Sequence, residues 1–106
     1  MTNDKLKNII EYYTYGDEDV VDKIVVLEGD EFADGCVGIT HDYHLVYDYG
    51  KLARSIAEKN NTSIEEAIEF IEYNTIRSLP YIKNQGLLEP IIMFSFVEES
   101  QIDTED

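Results

Sequence analysis

The chain has 106 residues and carries 23 Asp and Glu against 8 Lys and Arg, a formal charge of −15. That length holds one domain, and 43% hydrophobic residues suffice for one modest core, which excludes disorder throughout. The start Met-Thr-Asn-Asp-Lys is polar and no apolar run reaches signal-peptide or membrane length, so a cytoplasmic location is expected.

Residues 4–13 place Leu6, Ile9, Ile10 and Tyr13 on one helical face, with Thr2 or Asn3 available as a cap. Residues 17–22 read as an acidic linker, and the β-branched run Ile24-Val25-Val26-Leu27 reads as a strand. After the punctuation of residues 29–35, Cys36-Val37-Gly38-Ile39-Thr40 and Leu45-Val46-Tyr47 form two strands of a hairpin, joined through His41-Asp42-Tyr43-His44. Asp48 caps a helix that runs to about Lys59, turns Leu52, Ala53 and Ile56 inward and breaks at Asn60-Asn61.

Thr62 with Glu65, or Ser63 with Glu66, makes a capping box in front of a helix reaching about Ile76. Ile64, Ala67, Ile68, Ile71 and Thr75 share one side of it, and Leu79-Pro80 is expected to end it. The apolar run at residues 90–97 reads as the centre of the sheet, and the tail from about Glu98 as flexible. The sum is a single α+β domain, a small, mainly antiparallel sheet of three or four strands packed with two or three helices.

One segment has a family look. Phe32-Ala33-Asp34, Val37-Gly38 and Val46-Tyr47-Asp48-Tyr49 precede Glu65-Glu66-Ala67-Ile68-Glu69-Phe70-Ile71-Glu72-Tyr73-Asn74-Thr75-Ile76-Arg77-Ser78-Leu79-Pro80-Tyr81 and then Pro90-Ile91-Ile92-Met93. Over about two thirds of its length the chain resembles a family of small proteins carried by phages and mobile elements of low-GC bacteria. The resemblance implies mobile-element cargo acting in a bacterial host cell. That family has no established chemistry, so no functional residue is carried over from it.

The candidate contact residues come from the charge. Glu65, Glu66, Glu69 and Glu72 gather on the side of their helix opposite the apolar face, at separations of three and four residues. Such side chains stand about 5–6 Å apart, close to the spacing of phosphates along a nucleic-acid strand. The like-charge pairs cost roughly 0.2–0.5 kcal/mol each, and no Lys or Arg lies three or four positions from any of the four. The helix dipole offsets this only in the first turn, at Glu65 and Glu66. Tyr73 falls inside the stripe, where its ring could stack on an arginine of a partner.

Asp17, Glu18, Asp19 and Asp22 form a second cluster, Glu28, Asp30, Glu31 and Asp34 a third, and residues 98–106 a fourth. The expected function is that of an acidic, non-enzymatic binding protein. It occupies the basic groove of a nucleic-acid-handling defence protein, a CRISPR effector or restriction enzyme, by nucleic-acid mimicry. A neutraliser or accessory partner of a basic phage or toxin protein is the alternative. Self-association through exposed tyrosines or an edge strand is a further one. Direct binding to DNA is disfavoured, because a recognition helix with four glutamates repels phosphate.

Chemistry beyond binding has thin support. His41, Asp42 and His44 share one turn, yet with one Cys and two His the chain lacks the paired spacing of a zinc site, and neither metal nor cofactor is expected. Residues 30–35 lack the alternating ligands and closing glutamate of a calcium loop. No nucleophile elbow or phosphate-cradling loop occurs, and a small metal-dependent enzyme using His41 or His44 is the weaker second alternative. Cys36 has no basic neighbour to lower its pKa and reads as a structural thiol.

Overall fold

Helix α1 (Asn3–Thr14) starts where the Thr2 hydroxyl accepts from the Lys5 amide at 3.2 Å. It stops where Tyr15 turns left-handed and the Gly16 amide donates back to Glu11 O at 3.0 Å. In this computed structural model, which describes residues 1–96, the helix buries Leu6, Ile10 and Thr14, a stripe of four-residue steps. The expected face was wider, since Tyr13 is exposed and Ile9 only half-buried. Thr14 fits the core because its hydroxyl donates to Ile10 O at 2.9 Å. The acidic stretch expected as a linker is instead a helical turn, α2 (Glu18–Val21), capped where the Asp17 carboxylate accepts from the Asp19 amide at 3.1 Å.

The run at 24–27 does not form a strand. Ile24 makes only an isolated parallel bridge with Leu88, and the Leu27 amide donates to the Tyr47 hydroxyl at 3.1 Å. Beyond that bridge the Leu27 amide goes to a side chain and not to a neighbouring strand. After the turn α3 (Asp30–Ala33), strands β1 (Cys36–Ile39) and β2 (Leu45–Asp48) form the expected antiparallel hairpin, with Cys36 opposite Tyr47, Ile39 opposite Leu45, and a bulge between Cys36 and Gly38.

Asp48 ends β2 and caps α4 (Tyr49–Asn60) by accepting from the Lys51 amide at 3.0 Å, and Asn61 closes that helix in the left-handed region. Helix α5 (Ile64–Phe70) opens on the Ser63–Glu66 capping box. It continues through a π-helical segment (Ile71–Thr75) and a 3₁₀ turn (Ile76–Ser78) into α6 (Leu79–Asn84). Leu79-Pro80 therefore opens a helix and does not end one, because proline in the first turn forfeits no needed amide.

The last strand, β3 (Ile91–Met93), pairs parallel with β2, so the sheet order is β1-β2-β3 and the sheet is mixed. Of the run expected at the centre, Ile91–Met93 forms an edge strand and β2 is the centre. The reason is burial: Leu45, Tyr47 and Asp48 of β2 are buried, whereas Ile91 and Phe94 are exposed. The connection from β2 to β3 passes through all the C-terminal helices, and a crossover of that kind returns parallel. Residues 97–106, including the expected acidic tail, lie outside the described residues.

Tyr47, Leu45, Leu52, Ile56 and Ile71 are fully buried, joined by Leu6, Ile10, Ala33 and Ala67, so the core sits between β2, α4 and α5 with α1 and α3 closing one side. The result is one α+β domain. Among the described residues no helix is long and apolar enough to cross a membrane.

Candidate protein-interaction face

Helix α5 and the π segment present the glutamate stripe to solvent. Glu65, Glu66, Glu69 and Glu72 are all exposed, and none has a Lys or Arg nitrogen within 4 Å among the described residues. Glu66 is partly committed, since its Oε1 accepts from the Ser63 amide at 3.1 Å to close the capping box. Glu72 accepts from the Tyr49 hydroxyl at 2.7 Å. Burial first, and then this carboxylate, push the Tyr49 phenol up to about 12.

Tyr73 sits in the π segment. The Ile76 amide reaches back to Ile71 O, five residues away, and the Asn74 side chain donates to Phe70 O at 3.3 Å. Four residues on from Tyr73, the Arg77 guanidinium lies 5.7 Å from the centroid of its ring. Tyr73 is 65% exposed, but the aromatic face expected for a partner's arginine already carries one from this chain. Ile68, Glu69, Glu72, Tyr73 and Arg77 line one shallow depression.

The other two described clusters differ in kind. Asp17, Glu18, Asp19 and Asp22 are exposed at α2 without a cation partner among the described residues, Asp17 serving as the cap of its turn. In the Glu28–Asp34 group, Asp30 and Asp34 are engaged by other parts of the fold. Asp34 binds the Met1 amine and the Lys59 ammonium, the latter at 3.1 Å, and the amine first and Lys59 second hold its carboxyl below the usual carboxylate range. Asp30 accepts from the Asn3 amide at 2.9 Å at the start of α1, where the helix dipole favours an anion, and Glu28 accepts from the Asn3 side chain at 3.3 Å. Glu31 is only partly exposed. Asp30 and Asp34 fasten the start of α1 to α3 and α4, which leaves Glu28 and the partly exposed Glu31 as the remaining acids of the group.

Sequence reasoning missed a cleft beside the stripe. The 76–84 segment and β3 enclose about 490 Å³, lined by Ile76, Leu79, Pro80 and Ile92 with Glu72, Lys83 and Glu89. One wall is a stacked pair of rings, Tyr49 and Phe94, 4.8 Å between centroids at 28°. The signal lay in Phe94 at the end of an apolar run, but only the parallel return of β3 sets it on the first residue of α4.

The turn histidines resolve simply. His44 Nδ1 lies 2.7 Å from Glu89 O and ties the hairpin to the segment before β3, while His41 is exposed. Among the described residues no three His, Cys, Asp or Glu side chains are arranged to hold a metal ion. Cys36 is half-buried, and burial pushes its thiol up, away from the reactive thiolate. Set against family models, curated proteins and solved structures, the chain matches none.

Proposed function

We propose that the chain is an acidic binding protein that presents the α5 stripe to the basic groove of a nucleic-acid-handling protein and competes there with nucleic acid. The observation that carries this is the division of the acids. Asp30 and Asp34 are used to hold the fold together, whereas Glu65, Glu69 and Glu72 stand exposed on one face without a cation partner among the described residues. Like charges kept side by side on a helix oppose its stability, and a basic partner relieves that repulsion. The resemblance of residues 32–94 to phage and mobile-element proteins supplies the setting, a bacterial defence system of the CRISPR or restriction type. The exposed acids of α2 would be a second contact.

The test is affinity capture at about 50 mM salt from a bacterial lysate containing CRISPR and restriction nucleases, where such contacts are little screened. Elution is first by DNA, then RNA, then salt. The expected result is a nuclease or effector displaced by nucleic acid and not retained by the Glu65→Gln, Glu69→Gln, Glu72→Gln triple variant. A carboxylate-dependent partner that only salt releases would replace mimicry with neutralisation of a basic protein. Retention identical for wild type and triple variant would make the stripe a solvated surface.

A further inference from the structure

The chain itself shows how an aromatic ring beside Glu69 and Glu72 is filled. Arg77 lies over Tyr73, a planar cation on an electron-rich face with carboxylates alongside. The neighbouring cleft offers the same elements, an aromatic face and carboxylates, with no arginine among its lining residues. Phe94 rests one face on Tyr49 yet is 73% exposed, so its outer face is open. The Glu72 carboxylate borders the cleft, held by the Tyr49 hydroxyl through one oxygen while the other is free to accept. Glu89 adds a second negative group. Lys83 is the one cation of the lining and forms no ion pair within 4 Å among the described residues, so the carboxylates outnumber it and are not quenched by it.

We propose that this cleft is a socket for one arginine side chain of the basic partner. Its guanidinium plane lies on the outer face of Phe94 and donates to Glu72, and its aliphatic stem runs along Leu79 and Ile76. Arginine fits better than lysine because a planar group can stack and donate from several nitrogens at once, whereas an ammonium is a strongly hydrated point charge. The inference rests on the reading of the α5 stripe as a face for a basic protein, and it assigns that face an anchor and a chemical preference that diffuse charge does not supply.

The test uses the whole chain and two fluorescein-labelled probes, octa-arginine and octa-lysine, followed by anisotropy at about 150 mM salt. Octa-arginine is expected to bind roughly two- to fivefold more tightly, the worth of one exposed cation–π contact. In Phe94→Ala the two peptides should bind equally. In Glu69→Gln, outside the cleft, both should weaken while the preference persists. Glu72→Gln, which keeps an acceptor for Tyr49, should weaken octa-arginine more than octa-lysine. A cooperative urea transition starting from a folded baseline checks that each variant is folded. Equal binding by the wild type, or a preference that survives Phe94→Ala, would overturn the socket and leave the acidic face standing. Binding of neither peptide would overturn both.

Discussion

Glu69 has three like-charged neighbours on the exposed face of its helix: Glu65 four residues back, Glu66 three back and Glu72 three ahead. At roughly 0.2–0.5 kcal/mol per pair, Glu69→Gln removes roughly 0.5–1.5 kcal/mol of repulsion. Arg77 shares the depression with Glu69 but comes no closer than 4 Å, so the attraction lost with the charge takes back part of this gain. A net stabilisation of about 0.3–1 kcal/mol is expected, a rise in Tm of a few degrees for a domain of this size. Urea unfolding in about 20 mM salt measures it, and repetition in about 1 M salt, where the Debye length falls to about 3 Å, should abolish most of the difference. Binding to a captured partner should move the opposite way and weaken. A variant less stable than wild type at low salt would refute the assumption that these carboxylates repel one another. A stabilised variant with undiminished partner binding would refute the functional reading of the stripe.

Two further outcomes test the frame that holds this face. Gly35 is buried against α4, and an added Cβ would lie 2.8 Å from Leu52 Cδ1 and 3.0 Å from Leu52 Cα. Gly35→Ala should therefore cost roughly 1–3 kcal/mol by overpacking, beyond the small gain from restricting the unfolded chain, and a loss below about 0.5 kcal/mol in urea unfolding would show that α4 yields freely. Asp48 accepts from the Ser95 hydroxyl and, as cap of α4, from the Lys51 amide, and these bonds, Ser95 first, hold its carboxyl below the ordinary 3.8. The unfolded chain protonates first as pH falls, so the stabilisation is complete above about 3.8 and disappears as pH drops through the lower folded value. Asp48→Asn keeps a cap but loses the charge, so the wild type should be more stable by about 1 kcal/mol near neutrality and the two should converge below pH 3.8. A gap unchanged from pH 6 to pH 3 in parallel urea titrations would contradict this.

The division between what the sequence determined and what tertiary structure decided follows the reach of each signal. Caps and periodicity act within about four residues, so Asp48 before α4, Ser63 with Glu66 before α5, and the hairpin of β1 and β2 were all legible from neighbours alone. The excess of negative charge was likewise a property of composition. Strand position was not, because a short apolar run has the same pattern at the centre of a sheet or at its edge. Ile91–Met93 became an edge only when the helical crossover carried it to the far side of β2, and the run at 24–27 is left with a single bridge to Leu88 while its Leu27 amide goes to the Tyr47 hydroxyl. Nor could sequence tell a working carboxylate from a structural one. Asp34 is claimed by Met1, 33 residues away, and by Lys59, and Asp30 by the Asn3 amide, whereas the α5 glutamates meet no such cation among the described residues. Phe94 on Tyr49 arises in the same way, from the parallel return of β3, whereas Arg77 on Tyr73 lies within the four-residue reach of the helix. The sequence set how much charge the surface carries and where its helices begin, but which of those charges stay free is decided by packing between residues far apart in the chain.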